Sequence, residues 1–180
     1  MSGILALDPG TERTAWAHLV GNKIAGHGIE PNEGILEMLD LWSMGHPILA
    51  VEMIASYGMP VGREVFETCV WIGRFVQVWQ PGDFAYVYRR DVKLHLCGSP
   101  KAKDGNVRQA LLDLYGPQGT KKATGPTYGI KADEWAALGV AETYRAQREL
   151  AARTVHPDKP FTRDEQALKV DTPAWRKGAA

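Results

Sequence analysis

Gly3-Ile-Leu-Ala-Leu-Asp8-Pro9-Gly10 decides how the rest of the chain is read. Ile4, Leu5 and Leu7 suit a strand buried on both faces, and Pro9-Gly10 breaks it at once. Asp8 is therefore expected at the carboxyl end of that strand. A carboxylate is costly to bury unpaired, so it must meet a cation or face solvent. Two uses fit: a ligand for a divalent metal, or the start of an Asx-type turn before Pro-Gly. What the remaining residues bring to Asp8 separates them.

Outward from this stretch, Thr14 to Val20 reads as a second strand, Gly21-Asn22-Lys23 as a hairpin turn and Lys23 to Ile29 as a third strand. Pro31 and Asn32 open a helix, Glu33 to Trp42, with Ile35, Leu36, Leu39 and Trp42 at helical spacing. Ile48-Leu-Ala-Val-Glu52 repeats the grammar of the first strand, an apolar run closing on an acid. A loop rich in glycine and small residues follows, 53–62, then a long helix, Arg63 to about Trp79. Its stripe is Val65, Cys69, Ile72, Val76 and Trp79. Phe84 to Tyr88 is a strand running into Arg89-Arg90-Asp91-Val92-Lys93. Residues 98–106 form a basic loop, Val107 to Tyr115 a helix, 116–129 a second loop, and about Lys131 to Leu150 the last helix. The expected fold class is α/β. A meander followed by strand–helix units gives a mixed sheet covered on both faces. Residues 1–150 form the domain; 151–180, polar and with three prolines, are expected as a loosely ordered tail.

The formal charge is zero, with 21 basic and 21 acidic residues, so no global excess points to nucleic acid. The distribution says more. Arg89 to Lys131 holds nine Lys or Arg against three Asp, whereas no Lys or Arg lies between Lys23 and Arg63. A polyanion-binding face on a neutral body would produce this, as would solvated charge alone. Cys69 and Cys97 lack metal-ligand spacing, no signal peptide opens the chain, and no apolar run approaches membrane-spanning length. A reduced, cytoplasmic protein is the expectation.

If their strands are parallel neighbours, Asp8 and Glu52 share the carboxyl edge of the sheet, where ligands of such sheets bind. Two-metal phosphodiester hydrolysis needs several carboxylates converging on cations about 3.5–4 Å apart. Ile130-Lys131-Ala132-Asp133-Glu134-Trp135-Ala136-Ala137-Leu138-Gly139 supplies a third: an acid in the first turn of a helix whose small residues permit close approach to the sheet. Asp133 and Glu134 would equally complement the positive helix N-terminus.

These residues carry a resemblance to the RuvC-type Holliday junction resolvases of the RNase H-like nuclease superfamily, particularly phage-borne relatives. The matching pieces are Ile4 to Gly10; Ala50-Val-Glu52 with its glycine-bearing loop and long helix; Val92-Lys93 leading to Gly98, Ala102-Lys103-Asp104 and Val107; and Asp133 to Gly139. They run in family order from residue 3 to about 145. The resemblance implies an RNase H-like fold with a five-stranded mixed sheet, a homodimer, and two Mg²⁺ ions, with Mn²⁺ able to substitute. It also implies symmetrical nicking of four-way DNA.

By position, Asp8 matches the strand-one Asp and Glu52 the strand-four Glu. Asp133 matches the first of two acidic or histidine positions spaced three apart. The second falls on Ala136, so either Glu134 stands in or three carboxylates suffice. An alignment shifted by three would instead place Asp133 second and Ile130 first. In this reading Asp8, Glu52 and Asp133 hold the metal, and Glu134 or Lys131 assists. The family lysine falls one place after Lys103, on Asp104; Lys93 matches directly. Tyr57, with Met59 second, stands where the family places a residue that wedges open the junction. Arg63, Arg74, Arg89, Arg90, Lys101, Lys121 and Lys122 complete the phosphate-contact candidates. The 63–79 helix lies where the family dimerises, although a helix packed on its own sheet would show the same periodicity. A nuclease for flaps, forks or RNA–DNA hybrids, and a non-catalytic nucleic-acid-binding protein of the same fold, remain the alternatives.

Overall fold

The computed structural model describes residues 3–43, 47–80 and 82–155. Five strands, β1 (Ile4–Pro9), β2 (Arg13–Val20), β3 (Lys23–Pro31), β4 (Ile48–Met53) and β5 (Phe84–Tyr88), form one sheet in the order β3-β2-β1-β4-β5. The β1–β2 and β2–β3 pairs are antiparallel; β1–β4 and β4–β5 are parallel. The expected meander plus parallel strands is therefore the observed sheet.

Period-two alternation sorts the strand residues between two cores. Leu5, Leu7, Leu49 and Val51 face α1 (Asn32–Ser43) and α2 (Arg63–Trp79), packing with Ile35, Leu39, Ile72, Phe75, Val76 and Trp79. Ile4, Ala6, Ala15, Ala17, Ala50 and Val87 face the other way. They meet α3 (Arg89–Cys97), α4 (Asp104–Tyr115) and α5 (Glu134–Val155) through Val92, Val107, Leu111, Trp135, Ala137 and Leu138. Each fully buried Leu, Val or Phe contributes about 1.5–3 kcal/mol, so both layers are firmly seated. The alternation continues past the cores. Asp8 follows Ala6 in phase, and Glu52 follows Ala50.

Three expectations change. Arg89 to Lys93 does not extend β5 but begins α3. Val92 is buried there, and Gly98 closes the helix in the left-handed region, its N–H donating to the Leu94 carbonyl. The loop at 116–129 contains a small hairpin, β6 (Gly119–Thr120) with β7 (Ala123–Thr124), which lifts Lys121 and Lys122 to its tip. The apolar stripe of α2 is spent on the protein's own core: Thr68, Ile72, Phe75, Val76 and Trp79 are buried, while Val65 and Cys69 lie half-buried at its margin.

Gly139 also differs from expectation. A Cβ there would lie 3.0 Å from Val92 Cγ1 and 3.5 Å from Val107 Cγ1, so its bare face admits α3 and α4. The compact unit carrying the sheet ends at Arg145. Residues 146–155 continue as helix, so Ala151–Val155 of the expected tail are helical, and 156–180 lie outside the described residues. Among the described residues no helix is long and apolar enough to cross a membrane.

Candidate active site

The parallel register of β1 on β4 aligns Leu7 with Val51, so the next residues, Asp8 and Glu52, leave the sheet side by side. The Glu52 carboxyl group lies within reach of Asp8 and opposes its ionisation. A proton or a cation relieves such a pair. Burial, then the Glu52 charge, push Asp8 up to about 8, with Asp133 adding to the rise. Burial likewise raises Glu52 above the carboxylate range, against the pull of Arg89. Desolvation is the leading cause for both acids, so the corner disfavours two bare negative charges.

The turn after Asp8 is fixed by a residue that reading the sequence did not single out. Asn32, fully buried, donates from Nδ2 to the Gly10 carbonyl at 3.1 Å and accepts from Thr14 Oγ1 at 2.7 Å. Its own N–H donates to the Glu12 carbonyl. Gly10 is required there: a Cβ would lie 2.6 Å from the Arg13 carbonyl oxygen.

Asp133 comes to this corner from the start of α5. Ala132 before it has φ +44°, a left-handed conformation that costs a non-glycine residue free energy. Asp133 is exposed, and its charge reaches Asp8. Among the described residues no three Asp, Glu, His or Cys side chains are already gathered as a closed cation cage. Ala136, where the family pattern has its second acid, is buried.

Glu134 points elsewhere. Its Oε2 accepts from the Lys131 backbone N–H at 2.9 Å and lies 3.0 Å from His27 Nδ1 on β3. Those contacts cap and tether α5, and Lys131 itself projects into solvent. His27 went unnoticed in the sequence because nothing local links it to residue 134.

Arg89 opens α3 beside the acid pair. Its Nη1 lies 3.5 Å from Glu52 Oε2, and neither atom makes a hydrogen bond although both are buried. Its Nη2 donates to Asp104 Oδ1 at 2.7 Å. Lys93 Nζ, one turn along α3, lies 3.5 Å from the same oxygen. The Arg89 hydrogen bond holds Asp104 below the usual carboxylate range.

A divalent cation fits this donor set. Glu52 Oε2 is a buried acceptor with no donor, and hard carboxylate oxygens suit Mg²⁺ or Mn²⁺.

The other candidates lie further out. Tyr57 (φ +48°) and Gly58 (φ +84°) are the central residues of a turn closed by the Met59 N–H on the Ser56 carbonyl. That turn leaves Tyr57 59% exposed, with Met59 also exposed. Arg63 pairs with Glu67 on its own helix, and Arg74 covers the Trp71 ring at 4.1 Å. Arg90, Lys101, Lys103, Lys121 and Lys122 are exposed.

No protein-family model matches the chain, and no curated protein matches it in sequence. Solved structures do. The chain superposes on Thermus thermophilus RuvC with a TM-score of 0.64, covering 82% of this chain and 96% of that one at 15% identity. The fold is RuvC's. T. thermophilus RuvC in complex with Holliday junction substrate matches too, with a TM-score of 0.63 over 83% of this chain and 96% of that one, again at 15% identity. The RuvC-like, RNase H-like sheet is thus common to proteins of little sequence in common. Strand order and face are set by buried apolar positions that many residues can fill.

Proposed function

We propose that this protein is a structure-selective DNA endonuclease that resolves four-way junctions by hydrolysing a phosphodiester with two Mg²⁺ ions, Mn²⁺ substituting. The observation carrying it is the Asp8–Glu52 carboxylate pair at the ends of two parallel strands, on a sheet whose solved counterpart holds Holliday junction substrate. Asp8, Glu52 and Asp133 would hold the ions. Bound there, the cations would activate water and stabilise the departing 3′ oxygen.

The chain's own groups do the rest. Arg89 stays protonated and keeps one arm against Glu52, and Lys93 stands one helical turn away to receive a phosphate oxygen. The exposed Tyr57 ring offers a stacking face for an unpaired base, worth about 1–3 kcal/mol. Lys121 and Lys122 on the hairpin tip, with Lys101, Lys103 and Arg90, extend a basic surface along the backbone.

Four-way DNA has two symmetric strands to cut, so a homodimer follows from the reading. The buried stripe of α2 is not available for it, but the opposite face is: Phe66 and Val70, one turn apart, are 62% and 63% exposed.

The test is incubation of the protein with a synthetic four-way junction and Mg²⁺, beside matched forks, flaps and RNA–DNA hybrids. Paired nicks on opposite strands of the junction are expected, and absent when Asp8→Asn replaces the wild type. Preference for a fork or hybrid would redirect the substrate, and full cleavage by Asp8→Asn would remove the catalytic claim. A second reading, a non-catalytic junction-binding protein, is favoured by buried Ala136 and the unclosed acid set. Junction binding with neither nicking nor a Mg²⁺-dependent rise in melting temperature would establish it.

A further inference from the structure

Asp104 is the residue that departs most sharply from a DNA-binding surface. It opens α4, its side chain is 75% exposed, and two cations of α3 converge on its Oδ1: Arg89 Nη2 at 2.7 Å and Lys93 Nζ at 3.5 Å. The positive end of α4 lies at the same point. This is the environment a phosphate oxygen seeks: a guanidinium, an ammonium and a helix N-terminus around one anion. Arg89 also reaches back to Glu52, so an anion held here sits next to the acid pair.

We propose that Asp104 is an internal stand-in for a DNA phosphodiester, occupying a subsite built by Arg89, Lys93 and the α4 N-terminus and leaving it when DNA enters. The proposal rests on the nuclease reading and assigns one of its phosphate positions. Asp104 is mostly in water although Arg89 and Lys93 are 29% and 22% exposed, so the carboxylate leaves the two cations without losing a buried position of its own. While in place, the carboxylate hides two of the cations nearest the reacting corner. Duplex DNA offering only loose, nonspecific contact gains little from them. A strand pressed into the site gains both.

The experiment is equilibrium binding of a fluorescent four-way junction without metal, across a salt series, for wild type, Asp104→Asn and Asp104→Glu. Asp104→Asn is expected to bind about two- to fivefold more tightly at low salt. Its log K against log salt should steepen by about one to two, the phosphates newly neutralised. Asp104→Glu, which keeps the charge, should follow the wild type. The gain should disappear when Lys93→Gln and Arg89→Gln are added, because no cation is left to release. Should Asp104→Asn melt early, Asp104→Ser carries the same comparison. Binding by the neutral variant that equals or falls below the wild type overturns the stand-in while leaving the nuclease reading intact. If neither protein binds the junction at any salt, both readings fall.

Discussion

Asp8 lies against Glu52 in a poorly hydrated corner, and ionising it there works against the fold. Its pKa stands at about 8 instead of 3.8, so between those values the folded chain holds a proton that the unfolded chain releases. The unfolded state then binds fewer protons, and stability falls as pH rises through that window. The metal-free protein should melt at progressively lower temperature from pH 5 to pH 8 in a calorimetric series. Asp8→Asn should flatten that decline and melt higher than wild type at pH 8, and added Mg²⁺ should restore the wild type most at the alkaline end. A melting temperature rising with pH would contradict this account of the pair. Tyr57 and Ala132 hold strain of another kind. Each occupies left-handed backbone, Tyr57 as the proposed stacking residue and Ala132 just before Asp133, at a cost of roughly 1–2 kcal/mol. Tyr57→Asn should therefore gain about 1 kcal/mol in urea unfolding while losing junction cleavage. A loss of stability would show the ring to be packed.

At the scale of elements, α4 and α5 are joined by a buried network. Glu142 accepts from Tyr115 Oη at 2.6 Å and from Arg145 Nε at 2.9 Å, and burial and the Glu142 contact raise the Tyr115 pKa. Glu142→Ala would leave the part-buried Tyr115 hydroxyl without its acceptor and should cost about 1–3 kcal/mol, measured by chemical denaturation. A near-neutral result would mean that water replaces the carboxylate. The elements also show what the chain discloses before folding. β1 was legible because apolar residues filled every place before Asp8 and Pro-Gly ended it. α2 was legible because its repeat was long. α3 was not: Arg89-Arg90-Asp91 follows β5 without a breaker, and only the four-residue spacing of Val92 and Leu96 with Gly98 beyond would have revealed a helix. Within the site, Asp8 and Glu52 could be placed from strand ends alone. Asn32, His27 and the Arg89–Asp104 pair could not, because the folded sheet brings the first two to their partners and the packing of α3 on α4 makes the third.

For the whole molecule, the neutral net charge conceals a division of labour. The basic excess from Arg89 to Lys131 lies on α3, α4 and the small hairpin, the layer toward which Asp8 and Glu52 point. The opposite layer contributes α2 and its exposed Phe66 and Val70. Phe66→Glu should leave the unfolding midpoint of dilute protein almost unchanged, since the side chain is mostly in water. In sedimentation at rising concentration the proposed wild-type dimer should appear and the Phe66→Glu variant should stay monomeric; a dimer of the variant would move the interface elsewhere.

The tether between His27 and Glu134 reaches beyond its own two side chains. β3 is an edge strand, separated from β4 by two strands of the sheet, yet it holds the first turn of α5 and so bears on where Asp133 stands. The proposed third ligand is thus aimed from the edge of the sheet. Damage at that edge, such as His27→Ala, should surface as weakened Mg²⁺ affinity in a protein whose every candidate ligand is intact.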